Sequence, residues 1–351
     1  MQEVVNNLLS ESDLNYVLQR VGRGWYDLDN KKIFISGATG IIGKWLISTL
    51  DHARKELALN IDITCLSRNY KLFANDNPRI FGKIDINWIN GDVRDFKFSA
   101  AYKFDYAIHA ATDVVADVPY KDVLLTCSQG TENIFEQLSS AYCKRVLLIS
   151  SGAVYGKVPQ GVQGIPEAMI GGVSSTNPAS AYAEGKRYSE LLTTLMGSEC
   201  GIETPIARCF AMVGPYLPLD KHFAIGNFIN SVLNNKPIVI NGSGAPIRSY
   251  LYLADVVSQL WILLFAGRST AYNVGSDTPI SIYDLAKKVI EALSSNIPIH
   301  VLNNSDQVAH ADSYYPDTSI ITREFNLGAN IPLNEAIKKT AAWYSGYLDK
   351  R

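Results

Sequence analysis

Seven residues, GATGIIG at 37–43, constrain this chain more than any others because of what flanks them. The apolar run KKIFIS ends at Ser36, directly before the loop, and a helical pattern over 41–59 begins within it. A strand that becomes a helix through glycines spaced by three is built for close approach. Gly37 permits a tight turn. Gly40 lets the backbone approach an anionic group with no Cβ in the way, and Gly43 allows the helix to pack closely on the strand. The first N–H groups of the helix, at the positive end of its dipole, then face a phosphate. A glycine-rich turn without a ligand is the alternative, and the strand before and helix after argue against it.

The rest of the chain repeats that unit. IDITCLS (61–67), INWIN (86–90), FDYAIHAA (104–111), RVLLISS (145–151) and TPIARCF (204–210) read as strands, with helices over 122–142 and 181–196. Continuous Val/Ile/Leu runs separated by helices indicate a parallel sheet covered on both faces. Residues 157–179 hold Pro, Gly and Ser without periodicity, the pattern of a long surface loop. Past Gly214-Pro215 come short strands, PIVI (237–240) and SYLYL (249–253), among helices over 224–234, 254–266 and 281–294. The reading is α/β: a Rossmann-type doubly wound parallel sheet with a smaller, partly interleaved C-terminal substrate lobe. Its expected parts are an N-terminal helical extension (1–30), a dinucleotide-binding domain (31–209 plus 248–268) and a substrate-binding lobe (210–247 and 269–351). In the extension Val4, Leu8, Leu14, Val17, Leu18 and Val21 follow helical spacing, broken near Ser10–Ser12. It is expected to pack on the body or on another subunit, with a lid as the alternative.

Composition excludes several classes. The 351 residues are 47% hydrophobic and 19% charged, with a net charge of −2, so neither a disordered chain nor a nucleic-acid surface fits. The five cysteines are odd in number, and no pair has CxxC spacing; the five histidines are dispersed. Disulfides and a metal site are therefore not expected, and a reducing cytoplasm fits. The start, MQEVVNNLLSESDL, does not read as a signal peptide, and no apolar stretch approaches the ~20 residues needed to span a bilayer.

Two further places carry chemistry. The second strand ends Cys65-Leu66-Ser67-Arg68-Asn69, with no acid to bind the adenosine ribose hydroxyls of NAD. Ser67 and Arg68 suit a 2′-phosphate instead, so the expected cofactor is NADP(H), with NAD(H) as the alternative. The second place is YAEGK at 182–186, where Tyr182 and Lys186 share one helix face. A phenol titrates near pH ~10, and a neighbouring ammonium together with the nicotinamide's positive charge is expected to lower that. Upstream, Ser150-Ser151 close the fifth strand, and a serine there can hold a substrate oxygen and share its proton with Tyr182.

With these motifs stand GDV (91–93), HAAT (109–112), SSGAVYG (150–156), RCFAMVGP (208–215), NFI (227–229), PIRSYLYLADV (246–256) and YNVG (272–275). Together they resemble the extended short-chain dehydrogenase/reductases that act on nucleotide sugars as epimerases, dehydratases and reductases. The resemblance implies a catalytic Ser151, Tyr182 and Lys186. It implies cofactor contacts from the loop residues Gly37, Thr39, Gly40, Ile41, Ile42 and Gly43, from Ser67 and Arg68, from Asp92 and Val93 beside the adenine, and from Ala110, Ala111 and Thr112 along the phosphates. Asn227 and Arg248 match positions that bind the substrate diphosphate. The implied partners are a nucleotide-diphosphate sugar and a second copy of the chain. Departures narrow the chemistry. Relatives that dehydrate a hexose carry an Asp-Glu pair, and decarboxylases a Glu, where this chain has Gly152 and Ala153. Cys127 stands where the NxxGT of the family begins, which reads as a packing change. The expected activity is a 4-ketoreductase of an NDP-4-keto-6-deoxyhexose. A 4-epimerase is the alternative, ahead of a dehydratase, a decarboxylase or a non-catalytic cofactor-binding sensor.

Overall fold

The computed structural model describes residues 8–77, 84–112, 118–159, 161–221, 223–302, 312–327 and 331–348. Val4 of the expected arm and residue 160 of the long loop lie outside them. Two compact units emerge: Met1–Gly156, Gly172–Cys209 and Val257–Tyr272 in one, Lys157–Gly171, Phe210–Val256 and Asn273–Arg351 in the other.

The first unit is a Rossmann-type α/β fold. Its strands are β1 (Lys31–Ser36), β2 (Ile61–Ser67), β3 (Asn87–Asn90), β4 (Tyr106–His109), β5 (Arg145–Ser151) and β6 (Ile206–Cys209). They run in the order β3-β2-β1-β4-β5-β6, with the strand Ala271–Val274 beyond β6. The pairs β1–β2, β2–β3, β1–β4, β4–β5 and β5–β6 are all parallel. Strand order reverses between β1 and β4, and a sheet of this kind opens a crevice at the carboxyl ends of the strands there.

The helices of this unit are α1 (Glu11–Val21), α2 (Ile41–Glu56), α3 (Tyr70–Asp76), α4 (Tyr120–Ser140) and α5 (Ala181–Cys200). A buried cluster that includes Phe34, Phe96, Phe104, Phe135, Leu138 and Val146 fills one layer against the sheet. In another region Trp25 is fully buried, its ring 5.0 Å from that of Trp261 and 6.0 Å from Phe265. Trp261 in turn donates from Nε1 to Thr49 Oγ1 on α2 at 3.0 Å. The arm is thus tied to the body of its own unit. Ser10 caps α1 by accepting from the Asp13 N–H at 3.2 Å, and Asn15 bonds His52 of α2 at 2.8 Å.

Several element ends differ from the sequence reading, each for a local reason. α5 continues past Met196 to Cys200, where Gly201 takes a left-handed φ of 66° and ends it. α4 starts two residues early, behind an extended Pro119. β4 stops at His109, so Ala110–Thr112 leave the ladder. Of SYLYL, only Leu251–Tyr252 pair, with Met212–Val213, before a helix begins at Leu253.

The second unit is built from short ladders. Ile247–Arg248 lies between Ile280–Ser281, antiparallel, and Ser313–Tyr314, parallel. Ile238–Ile240 pairs with Ile299–Val301. Helices Ala224–Leu233, Ile282–Ala292 and Leu333–Leu348 pack with one another. Part of the long loop is pinned here. The buried Asn273 donates from its amide to Ile165 O (2.7 Å) and Asp317 O (3.0 Å), and its N–H donates to Glu167 Oε1 at 3.0 Å.

Candidate active site

A cleft of about 450 Å³ lies at the carboxyl ends of β1 to β4 in the first unit. It is lined by Gly37, Thr39 and Gly40 after β1, by Ser67, Arg68 and Asn69 after β2, by Gly91, Asp92 and Val93 after β3, and by Ala110, Ala111 and Thr112 after β4. The three loop glycines do three jobs. Gly37 has φ +74°, and a Cβ there would sit 2.6 Å from the Ala110 carbonyl. A Cβ on Gly43 would meet Gly37 O at 2.3 Å, so Gly43 serves close packing. A Cβ on Gly40 would touch only Gly37 O, at 3.4 Å, and Gly40 itself lines the cleft. Gly40 also caps α2 with no side-chain hydrogen bond to the first turn, which leaves that turn's N–H groups for an anion. Bare backbone, open space and unpaired donors suit a dinucleotide pyrophosphate. Ile41, Ile42 and Gly43, expected as cofactor contacts, are not among the lining residues.

Beyond β2, Ser67 Oγ accepts from the Asn69 N–H at 3.3 Å, and Asn69 Oδ1 accepts from the Leu72 N–H at 3.1 Å to cap α3. Arg68 stands at the tip of the turn these bonds fix, exposed toward solvent. The Asp92 carboxylate takes Arg94 Nε and Nη2 at 2.9 Å each, and that guanidinium holds it below the usual carboxylate range. Sequence reasoning missed Leu72, Phe73 and Thr126, which also line the cleft. They belong to no motif and come close only through the packing of α3 and α4.

The structure brings Ser151, Tyr182 and Lys186 together. Ser151, the last residue of β5, accepts at Oγ from the Ala153 N–H at 3.1 Å and is hydrogen-bonded to Tyr182. Lys186, 4% exposed, donates from Nζ to Ile149 O at 2.8 Å and to Thr112 Oγ1 at 2.9 Å. Thr112 thus joins the cleft to the catalytic helix.

Burial pushes the Tyr182 phenol well above its ordinary value, and the Ser151 hydrogen bond opposes this only in part. Burial also lowers the Lys186 ammonium. The lysine directs its donors to a backbone carbonyl and a threonine.

Gly152 is buried and Ala153 partly so, in the turn Gly152–Tyr155 that follows Ser151. No carboxylate enters at these two places. Glu184 leans away along α5, its Oε2 3.7 Å from Arg187 Nε. Cys127 is buried against Gly185, where a Cβ would come within 3.0 Å of its Sγ.

In the second unit, Asn227 lines a separate pocket of about 420 Å³ with Phe228, Asn241, Gly242 and Pro246 among others, and donates its amide to Lys221 O at 2.8 Å. Arg248 is not among that pocket's residues. Its Nη2 donates to Asp312 Oδ2 at 2.9 Å, and its guanidinium lies 5.7 Å from the centre of the Tyr314 ring.

A glycine-bounded dinucleotide cleft beside a Ser-Tyr-Lys cluster defines a pyridine-nucleotide-dependent enzyme of the short-chain dehydrogenase/reductase type. The chain belongs to the NAD dependent epimerase/dehydratase family, whose model matches residues 33–275. Its relatives act on nucleotide sugars. UDP-glucuronic acid decarboxylase 5 of Arabidopsis thaliana is 29% identical over 284 residues, 79% of each chain. Human dTDP-D-glucose 4,6-dehydratase is 24% identical over 327 residues, 90% of each. Among solved structures, UDP-glucose 4-epimerase from Thermotoga maritima shares the fold at a TM-score of 0.76 with 17% identity, covering 90% of this chain and 99% of that one.

Proposed function

We propose that this enzyme moves hydride at C4 of the hexose in a nucleoside-diphosphate sugar, as a 4-ketoreductase of an NDP-4-keto-6-deoxyhexose using NADP(H). The observation that carries the reading is the packing of α5, which carries Tyr182 and Lys186, against β5 and the turn after it, which carry Ser151, with Gly152 and Ala153 where a dehydratase or decarboxylase needs an acid. Reduction of a carbonyl requires a proton for its oxygen, and a phenol placed at that oxygen can give one. A nicotinamide held in the cleft would supply the hydride. Tyr182 delivers its proton to the C4 oxygen as that oxygen gains charge. Ser151 holds the same oxygen, its Oγ also accepting from the Ala153 N–H. Lys186 donates to Thr112 and steadies the phosphate-side segment through that threonine. Asn227 and Arg248 are the proposed contacts to the substrate diphosphate, with Arg248 as a planar cation suited to it.

Mass spectrometry of product mixtures tests the reading. Incubated with NADPH and nucleotide-linked 4-keto-6-deoxyhexoses, the enzyme is expected to yield products heavier by two hydrogens. Given a plain nucleotide hexose, it should cause no loss of water, because that step needs a proton removed at C5 and another delivered to the departing C6 oxygen. A water-loss product refutes the proposal. An unchanged mass with inverted C4 identifies the epimerase instead.

The proposed assembly is a homodimer. Tyr188, Leu191 and Leu195 lie 50%, 59% and 52% exposed along one side of α5, and Tyr120 and Leu124 are 55% and 41% exposed on the adjoining α4. Large apolar side chains grouped in this way mark an association surface. Leu191→Arg is expected to turn a dimer into a monomer in sedimentation velocity. A monomeric wild-type protein defeats the dimer.

A further inference from the structure

Glu190 follows Tyr182 and Lys186 on the same side of α5, four residues past the lysine. It is 8% exposed. Its Oε1 accepts from Ser150 Oγ at 2.5 Å and from Arg208 Nε at 3.0 Å, and its Oε2 accepts from Arg208 Nη2 at 2.7 Å. Arg208 reaches onward: Nη1 donates to the Tyr155 hydroxyl at 2.9 Å, and the guanidinium lies 4.9 Å from the centre of that ring. In the β5–β6 ladder Ser150 stands directly beside Arg208.

These contacts share one geometric property. Ser150 precedes Ser151, and Tyr155 ends the turn that follows it. The ion pair therefore grips both ends of the segment carrying Ser151 and ties them to the helix carrying Tyr182. Stability alone does not account for such a pair, because the cost of desolvating two charges roughly cancels their attraction. What directional hydrogen bonds add over apolar packing is a fixed register, which resists a slide of the helix along the strand end.

We propose that Glu190 and Arg208 are positioning residues that set the distance and angle at which the Tyr182 hydroxyl meets Ser151. The inference rests on the reading of Tyr182 and Ser151 as the groups that work on the C4 oxygen. A displacement of about 1 Å at a reacting group costs on the order of a hundredfold in rate, so a modest slip here is visible in kcat. Substrate and cofactor contacts lie elsewhere and should be spared.

The test replaces both charges at once, Glu190→Leu with Arg208→Met, since removing one leaves the other buried and unpaired and threatens folding. Ser150→Ala is the milder companion. Tyrosine labelled with ¹³C at Cζ reports the phenol directly, with the Tyr182 resonance assigned by its loss in Tyr182→Phe. In the double variant that resonance is expected to move from its wild-type position in the direction seen for Ser151→Ala. In the same variant kcat should fall about tenfold or more while KM stays within about threefold. A wild-type Tyr182 resonance in the folded double variant overturns the proposal, as does a kcat within about twofold of wild type. If the wild-type protein turns over no nucleotide sugar, the C4 reading fails, and the resonance alone still decides the positioning role.

Discussion

Tyr182→Phe is expected to lose about a hundredfold or more in turnover, because a positioned proton donor typically contributes that much. Only one oxygen is removed, and the ring remains to fill its place on α5. That oxygen bonds Ser151, whose Oγ keeps the Ala153 N–H as a partner, so the fold should lose no more than about 1 kcal/mol. Tyr182 is also absent from the residues lining the dinucleotide cleft, so cofactor affinity should hold. Steady-state rates and a fluorescence titration with NADPH check both halves. Retention of more than about a tenth of the wild-type rate would show that another group supplies the proton.

Burial moves the pKa of Tyr182 up and that of Lys186 down, each by desolvation first. A neutral His109 lies in the same layer, with burial lowering it to about 3, and it bonds Ser36 at 2.9 Å and Thr131 at 3.2 Å. It cross-links β1, β4 and α4 without carrying charge.

How much of this was legible in the chain differs by residue. The glycine loop was legible because each glycine answers a local demand: a positive φ at Gly37, an open approach at Gly40, a contact with Gly37 O at Gly43. Tyr182 and Lys186 were legible as a pair because helical spacing fixes which residues share a side. Their protonation was not, because it depends on burial, and burial is set by α4 and β6 rather than by the helix itself. The Glu190–Arg208 pair was invisible for a similar reason. Eighteen positions separate the two, and nothing in either segment signals a partner until β5 and β6 lie side by side. Arg248 was legible as a cation for a diphosphate, but not its engagement with Asp312, which depends on the parallel pairing of Ile247–Arg248 with Ser313–Tyr314.

Arg68→Asp is expected to reverse the order of cofactor affinities, from NADPH over NADH to the opposite. The turn after β2 is fixed by Ser67 Oγ and Asn69 Oδ1, so substitution at its tip changes charge with little change in backbone. In the proposed NADPH complex the guanidinium at that tip meets the adenosine 2′-phosphate, a charge-assisted contact worth about 1.5–3 kcal/mol. Losing it alone weakens NADPH binding by about 10- to 100-fold. A carboxylate in its place adds repulsion toward the phosphate, and also accepts hydrogen bonds from the two ribose hydroxyls of NADH. Asp92 sets the limit on the gain. It lies near enough for the Arg68 charge to help hold its carboxyl low, so Arg68→Asp sets two carboxylates close together. The NADH gain should therefore be smaller than the NADPH loss. Fluorescence titrations of both cofactors against both proteins measure the four affinities. A wild-type protein that prefers NADH defeats the assignment of the 2′-phosphate to Arg68, and shifts the weight of the C4 chemistry toward an epimerase that retains its cofactor.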